Sequence, residues 1–192
     1  MSTAGMPQTT GRYLIGGKKS SFTVRAFATG LLSAFAHSPT IAILDFEGEI
    51  FVNSDAIAES SLRMVIHPAS LIVTDDISEK DREEINRRTH DEVLESDSFP
   101  EIVFECSRVS ASKSGEGQYR VTLNGELSLH GITHIQPISA RVSFSGDVLR
   151  ATGDFSLRQS DYEIRPVTAA GGTIKLKDEL KLSFAISARR QA

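Results

Sequence analysis

The chain has 192 residues, of which 40% are apolar, with 21 basic and 25 acidic side chains giving a net charge of −4. That balance excludes disordered, collagen-like and low-complexity chains, and gives no overall attraction to nucleic acid or to anionic lipid. A lone cysteine, Cys106, rules out an intrachain disulfide, and no apolar run approaches the roughly 18 residues of a membrane span.

The N-terminal stretch is polar where a secretory leader needs an apolar segment, so the chain as written reads as cytoplasmic. Residues 1–12 are expected to form a disordered tail, and residues 13–192 a single domain. Ser21 to Thr29, Thr40 to Val52, Ser61 to Val73 and Glu101 to Val109 carry enough β-branched and aromatic residues to form strands. Between the last two lies Asp76 to Ser96, free of Gly and Pro and dense in helix formers. Ser78 followed by Asp81 resembles a capping box with Asp in place of Glu. Ile77, Ile85 and Val93 or Leu94 make a thin apolar stripe, which predicts a helix on the outside of a sheet, breaking near Thr89.

The second half alternates with period two. Tyr119, Val121, Leu123, Gly125, Leu127 and Leu129 oppose Arg120, Thr122, Asn124, Glu126, Ser128 and His130. Twelve such residues would span about 40 Å as one strand, with Gly125 marking a bend or bulge midway. Ile138 to Ser145, Ala151 to Arg158 and Leu180 to Ala188 repeat the alternation. Ser145-Gly146-Asp147 and Ser114-Gly115-Glu116-Gly117 read as hairpin turns. About eight turn-linked strands, each with one apolar face, predict an all-β fold with one surface helix, most economically an extended eight-stranded antiparallel barrel.

Chemistry-bearing residues are sparse. His130 and His134 have metal-like spacing, but Gly131 places them in a loop, and no third ligand is near in sequence. There is no Gly-x-Ser-x-Gly elbow, and Cys106 shares its parity with Ile102 and Phe104, which marks a buried thiol. Ala169 to Lys175 lacks phosphate-loop spacing and reads as a hairpin loop at a barrel mouth. Asp161, Tyr162 and Glu163 read as turn residues. Ten Phe and no Trp stand out, because Phe has no polar handle and is comfortable only where it is dry. These rings fill a core or line a ligand cavity, and an eight-stranded barrel has room for either.

Four stretches resemble the YceI-like family of polyisoprenoid-binding proteins: Arg88 to Phe104, Tyr119 to Thr133 with its His-Gly-Ile-Thr ending, Ala151 to Ile164, and Lys177 to Phe184. The likeness extends from about Ser61 to the end. It implies a lipocalin-like barrel with one outer helix and an internal tunnel for a long isoprenoid or other lipid. Ser33 to Pro39 departs from the family opening, and Thr133-His-Ile-Gln-Pro137 has extra residues; both are expected in loops.

The resulting expectation is a non-enzymatic protein that binds, sequesters or transports a polyisoprenoid, isoprenoid quinone or other lipid, with no cofactor or metal. Its expected partners exclude nucleic acid and leave room for a homodimer. The tunnel lining is assigned to Phe46, Phe104, Leu127, Val142, Phe144, Phe155, Tyr162 and Phe184, although parity does not say which face of each strand is inside. The alternatives are a filled barrel acting as a structural or stress-response domain, or a site built around His37, His130 and His134.

Overall fold

A computed structural model describes residues 10–16, 19–29, 38–54, 56–169, 171 and 174–191. Among the described residues seven strands precede the helix: β1 (Gly11–Ile15), β2 (Ser21–Arg25), β3 (Ala28–Thr29), β4 (Thr40–Ile43), β5 (Phe46–Val52), β6 (Ser61–Ile66) and β7 (Leu71–Val73). After the helix α1 (Glu79–Arg88) come β8 (Ile102–Cys106), β9 (Val109–Gly115), β10 (Gln118–Leu129), β11 (Ile132–Ser145) and β12 (Val148–Arg158). The chain ends with β13 (Thr168–Ala169), β14 (Ile174–Leu176) and β15 (Glu179–Arg190).

Eight of these close a barrel in the order β1-β5-β6-β8-β10-β11-β12-β15, with β15 returning to β1, and every ladder is antiparallel. Closure leaves no edge among these eight strands. The fold expected from the alternation is therefore present, with one difference at the start. Gly11 and Arg12, assigned to a disordered tail, belong to β1, the strand that joins the two ends of the sheet. Five residues of mixed character carry too little period-two signal to reveal it.

The first half of the wall bends at a single level. β1 and β2 both pair with β15, β4 and β5 are separated by Leu44 and Asp45, and β6 and β7 by a short turn through Ser70. Two hydroxyls repair the broken ladders in the same way. Ser20 Oγ accepts from Ser187 N–H at 2.9 Å and donates to Gly16 O at 2.8 Å. Ser70 Oγ accepts from Asp45 N–H at 2.9 Å and donates to His67 O at 2.7 Å. Beyond the bend, β2, β4 and β7 extend the sheet toward α1.

The helix covers the free edge of β7. Arg82 donates to Val73 O (2.8 Å) and Asp75 O (2.9 Å), Asn86 Oδ1 accepts from Val73 N–H (2.8 Å), and His90 Nε2 donates to Leu71 O (2.7 Å). At its N-terminus Ser78 Oγ accepts from Asp81 N–H, satisfying one orphan donor. The expected break falls at Thr89, where the helix widens into one π turn over Thr89–Val93.

Three further expectations change. Gly125 is not a bulge, because the β10–β11 register runs unbroken from Gln118↔Ser143 to Leu129↔Ile132. It marks instead the place where β10 exchanges β9 for β8 as its other neighbour. Thr133 to Pro137 is not a loop but the start of β11, joined to β10 by the two-residue turn His130-Gly131, both with positive φ (52° and 77°), as a type I′ hairpin requires. Pro137 is tolerated there because β12 pairs with β11 only from Arg141 onward, leaving that edge free of ladder partners. Ser33 to His37 lie outside the described residues.

Candidate ligand cavity

The inward faces of the closed strands surround a cavity of about 220 Å³ with an almost wholly apolar wall. Along β10 it is lined by Tyr119, Val121, Leu123, Leu127 and Leu129, so it follows that strand for up to about 33 Å. Leu149, Ala151, Phe155 and Leu157 of β12 and Leu180, Leu182, Phe184 and Ile186 of β15 line it further round the same wall. No Lys, Arg, His, Asp or Glu side chain lines it among the described residues.

Of the eight side chains assigned to the lining from sequence, Phe104, Leu127, Val142, Phe144, Phe155 and Phe184 border this cavity. Phe46 and Tyr162 are buried but do not. Phe46 opens β5 just past the bend and packs edge-on against Phe22, 6.5 Å between centroids. Tyr162 stands on a 3₁₀ turn after β12 rather than on a strand, so alternation says nothing about its direction. Burial, then the nearby Asp161 charge, push its phenol up from the ordinary tyrosine value.

Two glycines shape the lumen. A Cβ at Gly125 would lie 2.5 Å from Phe104 Cζ and 2.6 Å from Glu105 O, and one at Gly153 would lie 2.6 Å from Phe184 Cζ and 2.5 Å from Ser139 O. Each missing side chain lets a phenylalanine ring lie against the wall of the barrel, which keeps the middle open.

Sequence reasoning missed the contribution of the helix. Val93 and Leu94, which it assigned to a thin surface stripe, border the cavity where the π turn ends. Ile57 joins them from a short turn between β5 and β6 that has no periodic signal.

The described histidines lie outside the cavity. His130 Nε2 is 2.7 Å from Glu95 Oε2 and its Nδ1 3.2 Å from Tyr162 O, with the Phe99 ring 4.3 Å away. A carboxylate and a carbonyl both accept, so both contacts are hydrogen bonds when each ring nitrogen carries a proton. His134 Nε2 donates to Asp161 O at 2.8 Å. The three non-glycine residues with positive φ among the described residues, Glu95, His130 and Glu163, converge here. The arrangement ties the end of the helical segment to the β10–β11 turn and to the turn after β12. His130 is thus half-buried in the two-residue turn, and His134 is exposed at the start of β11, each with its ring against a backbone carbonyl. Among the described residues no group of three or more His, Cys, Asp or Glu side chains is placed to hold a metal ion, and His37 lies outside them. Cys106 is buried, and that burial raises its thiol above the ordinary cysteine value, the reverse of what a nucleophile needs.

A closed antiparallel barrel around a long apolar cavity defines a protein of the lipocalin-like class. The model of the YceI-like domain matches residues 16–188, and the chain belongs to that family. Three solved structures share the fold. BcnA of Burkholderia cenocepacia is 16% identical with a TM-score of 0.68, the match covering 90% of this chain and 98% of that one. A polyisoprenoid binding domain from Saccharophagus degradans is 13% identical with a TM-score of 0.65, covering 95% and 100%. The Campylobacter jejuni YceI protein is 15% identical with a TM-score of 0.57, covering 79% and 85%. No curated protein sequence matches this chain. No helix among the described residues is long and apolar enough to cross a membrane.

Proposed function

We propose that this protein binds and carries one long-chain apolar lipid, a polyisoprenoid, an isoprenoid quinone or a lipid of similar length, inside its barrel. The observation that carries this reading is the apolar cavity that follows β10 from Tyr119 to Leu129. Apolar cavities of about 150 Å³ already take up a benzene-sized guest, and the elongated form here suits a chain better than a compact molecule. Membership of the YceI-like family, with a polyisoprenoid binding domain among its structural neighbours, supports it.

Energetics favour length. Burying one five-carbon isoprene unit contributes about 4 kcal/mol at about 0.8 kcal/mol per carbon. Association costs on the order of 4–15 kcal/mol, so about one to four units only break even. Selection by chain length then follows from the depth of the cavity, and the protein acts as a carrier or a sink rather than as a catalyst.

Native mass spectrometry of protein purified without detergent tests this, before and after incubation with a nine-unit polyprenol and with an eight-unit isoprenoid quinone. One lipid per chain is expected. The apo mass alone under every condition would contradict the reading and leave a filled, ligand-free barrel.

A further inference from the structure

Resting on that reading, we propose that the hydroxyl of Tyr119 is the head-group contact of the cavity. It pairs with one uncharged oxygen of the lipid, an alcohol or a quinone or amide carbonyl. The barrel then prefers a neutral oxygen-bearing lipid both to a bare hydrocarbon and to a diphosphate.

Three observations lead there. Tyr119 lines the cavity, is 5% exposed, and its Oη has no hydrogen-bond partner. Its ring is fixed edge-on by Phe144, with centroids 6.0 Å apart and planes at 84°, and Phe144 is held in turn by Tyr13 at 6.1 Å. A buried hydroxyl without a partner is destabilising relative to phenylalanine in the same place. A ligand oxygen removes that penalty, since a phenol both donates and accepts.

Other polar groups in the lining are already engaged. The Gln159 amide donates to Lys177 O at 3.0 Å, Ser60 Oγ accepts from Asn53 N–H at 3.0 Å, and Ser54 Oγ shares a hydrogen bond with Thr10 Oγ1 at 2.8 Å. Ser61 is only partly buried, within reach of water. The second buried hydroxyl without a partner, that of Ser96, does not border the cavity.

Charge narrows the class of head group. With no cationic side chain in the lining among the described residues, a diphosphate drawn up to Tyr119 would lose its hydration without gaining a counter-charge. A neutral oxygen loses far less.

The test uses full-length protein and three probes of equal chain length: a nine-unit polyprenol, the hydrocarbon lacking its hydroxyl, and the polyprenyl diphosphate. Pairs compete for the protein, and the bound fractions are read by native mass spectrometry. Wild type is expected to favour the alcohol over the hydrocarbon by about three- to tenfold, the worth of one buried hydrogen bond, and to bind the diphosphate most weakly. Tyr119→Phe is expected to bring the alcohol down to the level of the hydrocarbon while hydrocarbon binding is unchanged. Because only an unpaired hydroxyl is removed, this variant should melt at or above the wild-type temperature.

An alcohol preference that survives Tyr119→Phe, or a diphosphate that binds as tightly as the alcohol, would overturn the assignment of Tyr119. Hydrocarbon binding would leave the carrier reading standing in that event. Failure of wild type to bind all three probes would overturn both.

Discussion

β10, β11, β12 and β15 run for 12, 14, 11 and 12 residues without interruption, whereas the opposite wall is made of short strands that break together beside Gly16, Asp45 and His67. The long wall is held by regular ladders, and its interior is shaped by shape alone, with phenylalanine rings lying against glycines. The broken wall is held at its bends by serine hydroxyls and at its outer edge by Arg82, Asn86 and His90. A steric change should therefore be most damaging in the first region, and the deletion of a polar group in the second.

Gly125→Ala probes the steric side most strongly. Its Cβ meets both the Phe104 ring and the β8 backbone at Glu105, and the backbone has little room to yield. A loss of about 3 kcal/mol is expected by denaturant titration, along with weaker lipid uptake as Phe104 is driven into the lumen. A loss below about 0.5 kcal/mol, the range of an ordinary surface change, would show that the close approach does not matter.

Arg82→Ala comes next, on the other wall. It removes two hydrogen bonds to the carbonyls of Val73 and Asp75, and about 2 kcal/mol is expected from a charged donor in a partly buried place. Chemical shifts of β7 should move more than those of β10. Ser70→Ala is expected to cost about 1 kcal/mol, because the Asp45 N–H that it serves loses its acceptor. An equal change at an unbonded surface serine is the control.

Acid should produce the smallest effect. Hydrogen bonds from the Ser160 hydroxyl, and then from its backbone, hold Asp178 below the ordinary carboxylate value. A depressed folded-state value contributes stability that is fully present above the unfolded carboxylate range and is lost as pH falls through the folded value. Asp178→Asn is expected to lower stability slightly at neutral pH and to flatten the acid limb of the profile, so that variant and wild type converge at low pH. The site is largely open to solvent, which keeps the effect small.

The same contrast explains what could be read from the residues alone. Alternation in β10, β11, β12 and β15 predicts the strands and groups Leu127, Val142, Phe144, Phe155 and Phe184 on their apolar faces, with Phe104 on the short β8, but it does not say which face is inward. Phe46 stands at a bend and Tyr162 on a turn, where alternation does not say which way a side chain faces. β1 is too short to alternate convincingly. The start of β11 was hidden by His134, Ile135 and Pro137, of which Ile135 points outward and is 75% exposed. The part played by Tyr119 was invisible for a different reason. Its parity is legible, but a missing hydrogen-bond partner is a property of three-dimensional packing.

The most direct test of the central claim is photo-crosslinking with a nine-unit polyprenol carrying a diazirine in its chain, followed by peptide mapping. Crosslinks are expected on alternate residues of the long strands, at Val121, Leu127, Val142, Phe155 and Phe184, and on Val93 or Leu94. Labelling confined to the outward-facing Leu14, Phe51 and Ile135 would contradict an internal lipid site and place the lipid on the outside of the barrel.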